Sequence, residues 1–244
     1  VPGGDLPPQP LAGARPQPGA NVTKQRFDAV VFDLDGTLID TETSYRRAFF
    51  AAAATFGMHV TDGFYATLLG VATPERADLI RARFGADFPV GDFLAAYYVH
   101  RAAILPDPPP LCPGALDLLR TLPQPKAIAT SASRRTAHRH LASAGLTSYF
   151  AHVVTRDDVP RGKPAPDSFR HATTLLGVEP ARCLAIEDSP TGVAAAEAAG
   201  LHVLMVAATP PSSASRRCLA VVPDLWAAQE ALRAAGPRPL APTA

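Results

Sequence analysis

Asp33 and Asp35 stand two residues apart at the end of a short apolar run, Phe27-Asp-Ala-Val-Val-Phe-Asp33-Leu-Asp35-Gly36-Thr37-Leu38. Residues i and i+2 of an extended backbone project to the same side, so both carboxylates address one small site. Gly36 lets the chain turn there with no side chain in the way. Two like charges this close repel unless a cation or a shared proton compensates them. Holding a divalent cation and attacking an electrophile is the chemistry such a pair serves. Asp and Gly are also ordinary turn formers, so what decides between site and turn lies downstream.

Three further segments place polar groups where an apolar run ends. In Ala129-Thr130-Ser131-Ala132-Ser133-Arg134 a strand passes into a helix, and hydroxyls and free N–H groups at such a junction cradle a phosphate oxygen. Helix capping by Ser131 or Ser133 explains the same residues. In Arg161-Gly162-Lys163-Pro164-Ala165-Pro166-Asp167 a proline follows Lys163 and stiffens the approach to a helix, leaving a point cation in a defined place. In Ile186-Glu187-Asp188-Ser189-Pro190-Thr191-Gly192 a second acidic pair follows an apolar strand, where acids also cap helices and complement their dipoles.

The elements that must position these groups follow from hydrophobic rhythm. Strand-like runs occur at 29–32, 126–130, 152–155, 183–186, 203–206 and 219–222. Helical runs at 134–144, 167–176, 190–199 and 225–235 lie between most of them. Apolar strands alternating with helices predict an α/β fold with a mostly parallel sheet covered on both faces. Ligands bind such sheets beyond the carboxyl ends of the strands, which is where all four segments fall. Residues 42–110 break the alternation with successive helical runs at 44–56, 63–69, 74–84 and 90–104. They predict an inserted helical lid on a core of residues 25–41 and 111–236, with the proline-rich stretch from Pro106 to Pro113 as the stiff return.

Composition narrows the function classes. A chain of 244 residues, 47% apolar, suffices for one sizeable core and a second small one. A net charge of +1 gives no reason to expect nucleic acid or an anionic membrane as partner. Cys112, Cys183 and Cys218 are scattered and odd in number, so neither a disulfide framework nor a CxxC metal site is expected, and a cytoplasmic setting is the simplest. Residues 1–24 read as a disordered Pro/Gly/Ala-rich extension and 237–244 as a C-terminal tail. A monomer is expected, with a weak homodimer as the alternative.

Taken together, Phe32-Asp33-Leu-Asp35-Gly-Thr-Leu-Ile-Asp40-Thr-Glu, Ala-Thr-Ser131, Arg-Gly-Lys163-Pro-Ala-Pro-Asp and Ile-Glu187-Asp188-Ser-Pro-Thr-Gly resemble, in order, the four motifs of the haloacid dehalogenase superfamily. The resemblance spans about residues 27–210. It implies a Rossmann-like sheet with neighbouring order 5-4-1-2-3, a small helical cap and use of Mg²⁺. It further implies that Asp33 attacks phosphorus and that Asp35 protonates the leaving oxygen and later activates water. By the same resemblance Asp33, Asp188 and the Asp35 carbonyl hold the metal, with Glu187 acting directly or through a water. Ser131 and the Ala132 N–H would hold a phosphoryl oxygen, and Lys163 would neutralise Asp33 and the transferring group.

An acid at position 35 suits a phosphate ester, whose leaving alkoxide needs a proton. The implied activity is a phosphatase of small phosphomonoesters: sugar phosphates, polyol phosphates or phosphoglycolate. A phosphosugar mutase is the first alternative, although Gly70-Val71-Ala72-Thr73 carries a neutral Thr73 where the mutase pattern has an arginine. Arg76 or Arg81 can compensate from the following helix. An inactive phosphate-binding module is the second alternative. Thr73, Arg76 and Tyr97, with Tyr65 and His100, are candidate substrate readers in the cap, where buried aromatics and solvated charges are the plainer explanation.

Overall fold

The computed structural model describes residues 27–71, 73–207 and 218–234. The expected terminal extension and tail lie outside these residues. Six parallel strands form one sheet: β1 (Ala29–Phe32), β2 (Lys126–Ala129), β3 (His152–Val154), β4 (Cys183–Glu187), β5 (His202–Val206) and β6 (Cys218–Val222). Their spatial order is β3-β2-β1-β4-β5-β6. The expected five-strand order is present, and β6 extends it beyond β5.

Strand alternation builds two cores. Val30 and Phe32 of β1 point into one cluster with Ile128, Leu184 and Ile186. Ala29 and Val31 point into the other with Ala127, Ala129, Cys183 and Ala185. The first face is covered by α5 (Ala115–Thr121), α6 (Arg134–Ser143) and α9 (Leu225–Ala234), the second by α7 (Asp167–Leu176) and α8 (Pro190–Ala199). Helix α5 was not among the helical runs read from the sequence. Its seven residues are short for a periodicity argument, although Ala115, Leu118 and Leu119 bury one face at helical spacing.

Between β1 and β2 run α1 (Glu42–Thr55), α2 (Asp62–Ala66), α3 (Thr73–Phe84) and α4 (Val90–Ile104). They bury a third cluster that shares no residue with the other two. Phe49 of α1 is its centre, with Phe93 and Tyr97 of α4 edge-on at 5.1 and 5.7 Å and the Tyr65 ring of α2 at 5.4 Å. The segments leading into and out of these helices run side by side. The Asp40 N–H donates to the Pro110 carbonyl at 2.8 Å and the Cys112 N–H to the Leu38 carbonyl at 2.9 Å. Among the described residues no helix is long and apolar enough to cross a membrane.

Candidate active site

Register brings three of the four segments together. Phe32 lies opposite Ile128 on β2 and Ile186 on β4, so the residues that follow each strand emerge at one edge. Those residues are Asp33, Thr130–Ser131 and Glu187–Asp188. The Asp33 N–H donates to the Ile186 carbonyl at 2.9 Å, holding the ends of β1 and β4 in line.

At this edge Lys163 Nζ donates to Asp33 Oδ1 at 2.5 Å and to Glu187 Oε1 at 2.7 Å. The lysine is 1% exposed, and its ammonium also lies 4.9 Å from the centre of the Phe169 ring. Burial works against the ammonium, yet the charges of Asp33 and Glu187 outweigh it and hold its pKa above the ordinary lysine value. Burial lifts the Asp33 carboxyl to about 7, with Lys163 opposing and Glu187 adding to the rise. Asp188 is likewise raised by burial and then by Glu187 and Asp33. Thr37 Oγ1 donates to Asp188 Oδ1 at 2.8 Å. Gly36, with φ of 89°, passes so close that a Cβ there would sit 2.3 Å from Asp188 Oδ2. Any side chain at position 36 would displace that carboxylate.

Oxygens of Asp33, Glu187 and Asp188 lie within 4.8 Å of one another. Three carboxylates against one ammonium leave negative charge uncompensated, and the donors are all oxygen, which fits a hard divalent cation. Glu187 is the most committed of the three. Its Oε1 accepts from Lys163, and its Oε2 accepts from the Ser189 N–H at 2.6 Å and the Ser189 hydroxyl at 3.0 Å. Ser189 in turn caps α8 by accepting from the Gly192 N–H. A serine, not an acid, therefore begins that helix.

The serine pair after β2 divides its work in the same way. Ser133 caps α6, accepting from the Thr136 N–H. Ser131 faces the cleft and donates to the Gly70 carbonyl of the helical insertion at 2.8 Å. The Ala132 N–H donates to Thr130 Oγ1 at 3.0 Å. Both expected phosphate donors thus line the cleft while bonded to protein acceptors. Lys163 does not line the cleft; it is buried and committed to carboxylates.

Asp35 also lines the cleft, half-buried, and the helical insertion reaches it. Tyr45 of α1 donates to Asp35 Oδ1 at 3.1 Å, and Arg101 of α4 donates to the Tyr45 hydroxyl with its guanidinium 3.7 Å from the centre of that ring. His140 Nδ1 lies 3.5 Å from Asp35 Oδ1, too long for a hydrogen bond. Burial opposes ionisation of Asp35, but His140, Arg101 and Tyr45 together hold its pKa below the ordinary value. Of the expected cap readers, Tyr65, Thr73, Arg76 and Tyr97 line the cleft, and His100 does not. Thr73 Oγ1 is 2.5 Å from the Tyr98 hydroxyl, and Arg76 donates to the Val71 carbonyl at 2.8 Å.

Sequence reading did not single out Tyr45, Arg101 or His140. The signals were present but weak: Arg101 follows Tyr97 by one helical turn in an apolar run, and His140 falls on the apolar face of α6. The insertion rests directly on the core. Glu75 of α3 accepts from Arg156 Nη2 at 2.9 Å and from the Gly162 N–H, next to Lys163, at 3.1 Å. A Cβ on Gly70 would lie 2.2 Å from Ser189 Oγ, so that crossing also requires glycine.

A parallel sheet with carboxylates at its carboxyl edge, a buried lysine among them and a helical cap over them define an α/β enzyme with a Rossmann-like core and a covered acidic site. The model of haloacid dehalogenase-like hydrolases matches residues 27–200. The chain belongs to that family. It is 32% identical over 205 residues to validoxylamine A 7'-phosphate phosphatase of Streptomyces hygroscopicus subsp. limoneus, covering 82% of this chain and 94% of that one. It is 31% identical over 185 residues to fructose-1-phosphate phosphatase YqaB of Escherichia coli, covering 75% and 97%. Among solved structures, CbbY from Rhodobacter sphaeroides in complex with phosphate superposes with a TM-score of 0.66 at 28% identity, covering 81% of this chain and 94% of that one.

Proposed function

We propose that this chain is a phosphatase of small phosphomonoesters that works through an aspartyl-phosphate on Asp33. The observation that carries the reading is the contrast between two neighbouring acids. Asp33 is buried and bonded to Lys163, whereas Asp35 is half-buried and accepts from Tyr45 of the cap. In this reading the first attacks and the second moves a proton. Relatives that are themselves phosphatases of phosphorylated sugars and sugar-like compounds support it.

In this scheme an Asp33 oxygen bonds to phosphorus as the bond to the leaving oxygen breaks, and Asp35 supplies that oxygen with a proton. Asp35 then takes a proton from water, the water oxygen bonds to phosphorus, and the Asp33–phosphorus bond breaks to release inorganic phosphate. A depressed pKa suits the second half, and the negative charge of an arriving phosphoryl group raises it for the first. Lys163 holds Asp33 in line and offsets its charge. Ser131 and the Ala132 N–H exchange their protein acceptors for phosphoryl oxygens. Asp33, Asp188 and the Asp35 carbonyl would hold Mg²⁺, with Glu187 directly or through a water, and the ion would supply positive charge that offsets that of the phosphoryl group.

A second reading, a phosphosugar mutase, draws on Arg76 and Arg101 in the cleft, which offer guanidinium donors although position 73 is threonine. Phosphate release separates the two. Steady Mg²⁺-dependent release from a panel of sugar, polyol and glycolate phosphates is the expected result. A phosphorylated isomer accumulating without inorganic phosphate would replace the phosphatase reading, and no turnover of any ester would reject both.

Two variants test the roles. Asp35→Asn should lose about a hundred-fold or more in turnover of alkyl phosphates, and less on nitrophenyl phosphate, whose leaving group needs no proton. Equal losses on both would remove Asp35 from the leaving-group step. Asp188→Asn should weaken Mg²⁺ binding in calorimetry more than Glu187→Gln does, because both Glu187 oxygens already accept protein hydrogen bonds. The reverse order would move the metal site toward Glu187.

A further inference from the structure

We infer that Glu75, on the helical insertion, is a positioning residue for the chemistry on the core: its carboxylate fixes the two segments that carry Lys163 and back the Ala132 N–H, and it does so without touching the substrate. The inference rests on the phosphatase reading, in which Lys163 and Ala132 serve the phosphoryl group. Glu75 stands in the first turn of α3, between Thr73 and Arg76. Those two line the cleft, and Glu75 does not.

Its Oε1 joins two separate core segments, accepting from the Gly162 N–H at 3.1 Å and from Arg156 Nη2 at 2.9 Å. Each partner is one step from a group of the site. Gly162 precedes Lys163, whose Nζ donates to Asp33 and Glu187. The Gly162 carbonyl accepts from the Ala165 N–H at 2.9 Å, so with Glu75 in place both polar groups of that residue are held. The Arg156 N–H donates to the Ala132 carbonyl at 3.0 Å, and its Nη1 donates to the Val159 carbonyl at 2.9 Å. One carboxylate oxygen therefore spaces the turn after β3 from the approach to α7. Gly162 is buried, and a buried N–H that loses its acceptor is costly. Burial works against the Glu75 carboxylate too, but its own N–H, Arg156 and Gly162 hold its pKa below the ordinary value. The bonds are thus charge-assisted and stronger than neutral ones. A side chain facing the bound ester acts on which ester is taken. Glu75 acts on Lys163 and Ala132, which every ester uses, so its loss affects all esters alike.

The test sets kcat and KM for a panel of sugar, polyol and glycolate phosphates beside hydrogen exchange at the Gly162 amide. Glu75→Ala should lower kcat about ten-fold on every ester, with KM within about two-fold of wild type and the rank order of esters unchanged. The Gly162 amide should exchange about ten-fold faster in the same variant. Glu75→Gln is nearly isosteric and keeps an acceptor for Gly162 while losing the charge opposite Arg156, so it should show a smaller loss of the same pattern, and it carries the comparison if the alanine variant melts early. Arg156→Gln leaves Glu75 bonded to Gly162 and should cost less kcat than Glu75→Ala. An unchanged kcat in either Glu75 variant, a loss of kcat with Gly162 exchange as in wild type, or an equal loss in Arg156→Gln overturns the inference, the last by reducing the contact to adhesion of α3 to the core. A loss confined to some esters, or expressed in KM, would make Glu75 a substrate contact and also overturn it. Failure of wild type to hydrolyse any ester would instead reject the phosphatase reading, and this inference with it.

Discussion

Asp33→Asn is expected to abolish phosphate release, with a loss of about 10⁴-fold or more at saturating Mg²⁺, as for removal of a covalent nucleophile. The amide is nearly isosteric, and its oxygen can still accept from Lys163 Nζ, which bonds Asp33 at 2.5 Å in the native protein. Lys163 also keeps Glu187 at 2.7 Å, so the buried ammonium is not left without a carboxylate. The fold should therefore survive, with circular dichroism and cooperative melting close to wild type. A neutral group at position 33 also relieves the crowding that raises Asp188. Mass spectrometry of wild type mixed with substrate and quenched in acid should show one added phosphoryl group that the variant lacks. Turnover near wild type in a correctly folded variant would remove Asp33 as nucleophile.

The second large effect is expected at Lys163. Lys163→Met removes the one ammonium bonded to Asp33 and Glu187 and leaves both carboxylates buried. Stripping one partner from a buried ion pair costs about 3–5 kcal/mol, so without divalent cations the variant should melt well below wild type. Mg²⁺ should recover more stability in the variant than in wild type, because it binds only the folded arrangement and supplies the charge that has been removed. The pH dependence has a definite sign. Folded Asp33 titrates near 7 and an unfolded aspartate near 3.8, so between these values the folded state binds more protons. The contribution of this group to stability is present below about 3.8 and is lost as pH rises through about 7. Removing Lys163 enlarges the effect, so the deficit of the variant should narrow as pH falls from 7 toward 4. A deficit independent of both pH and Mg²⁺ would show that Lys163 acts by packing on Phe169 instead.

The sheet and its edge were legible from local pattern. The run Ala29–Phe32 formed its strand between the expected residues, and the runs at 126–130, 152–155, 183–186, 203–206 and 219–222 differed from the structure only at their ends. Buried parallel strands are continuous apolar runs, and parallel pairing of such runs aligns the polar residues that follow them. Asp33, Ser131 and Asp188 at one edge follow from that alone. The helix Ala115–Thr121 escaped because seven residues hold too few turns to show a period. Strand β6 at the edge beyond β5 required the sheet itself.

What each polar group does was decided by tertiary contacts. Ser131 and Ser133 are equivalent candidates in the sequence, and only the start of α6 makes Ser133 the cap and leaves Ser131 to the cleft. Lys163 reads as a defined cation, but its burial between Asp33 and Glu187 depends on how the segment leading into α7 packs on the sheet edge. Tyr45, Arg101 and His140 arrive at Asp35 from α1, α4 and α6, elements whose own periodicity concerns only which face is apolar. Local pattern determines where strands end, because burial and backbone geometry act over a few residues. The partners of a charge at those ends depend on how separate helices pack across the cleft, which no spacing within one segment encodes.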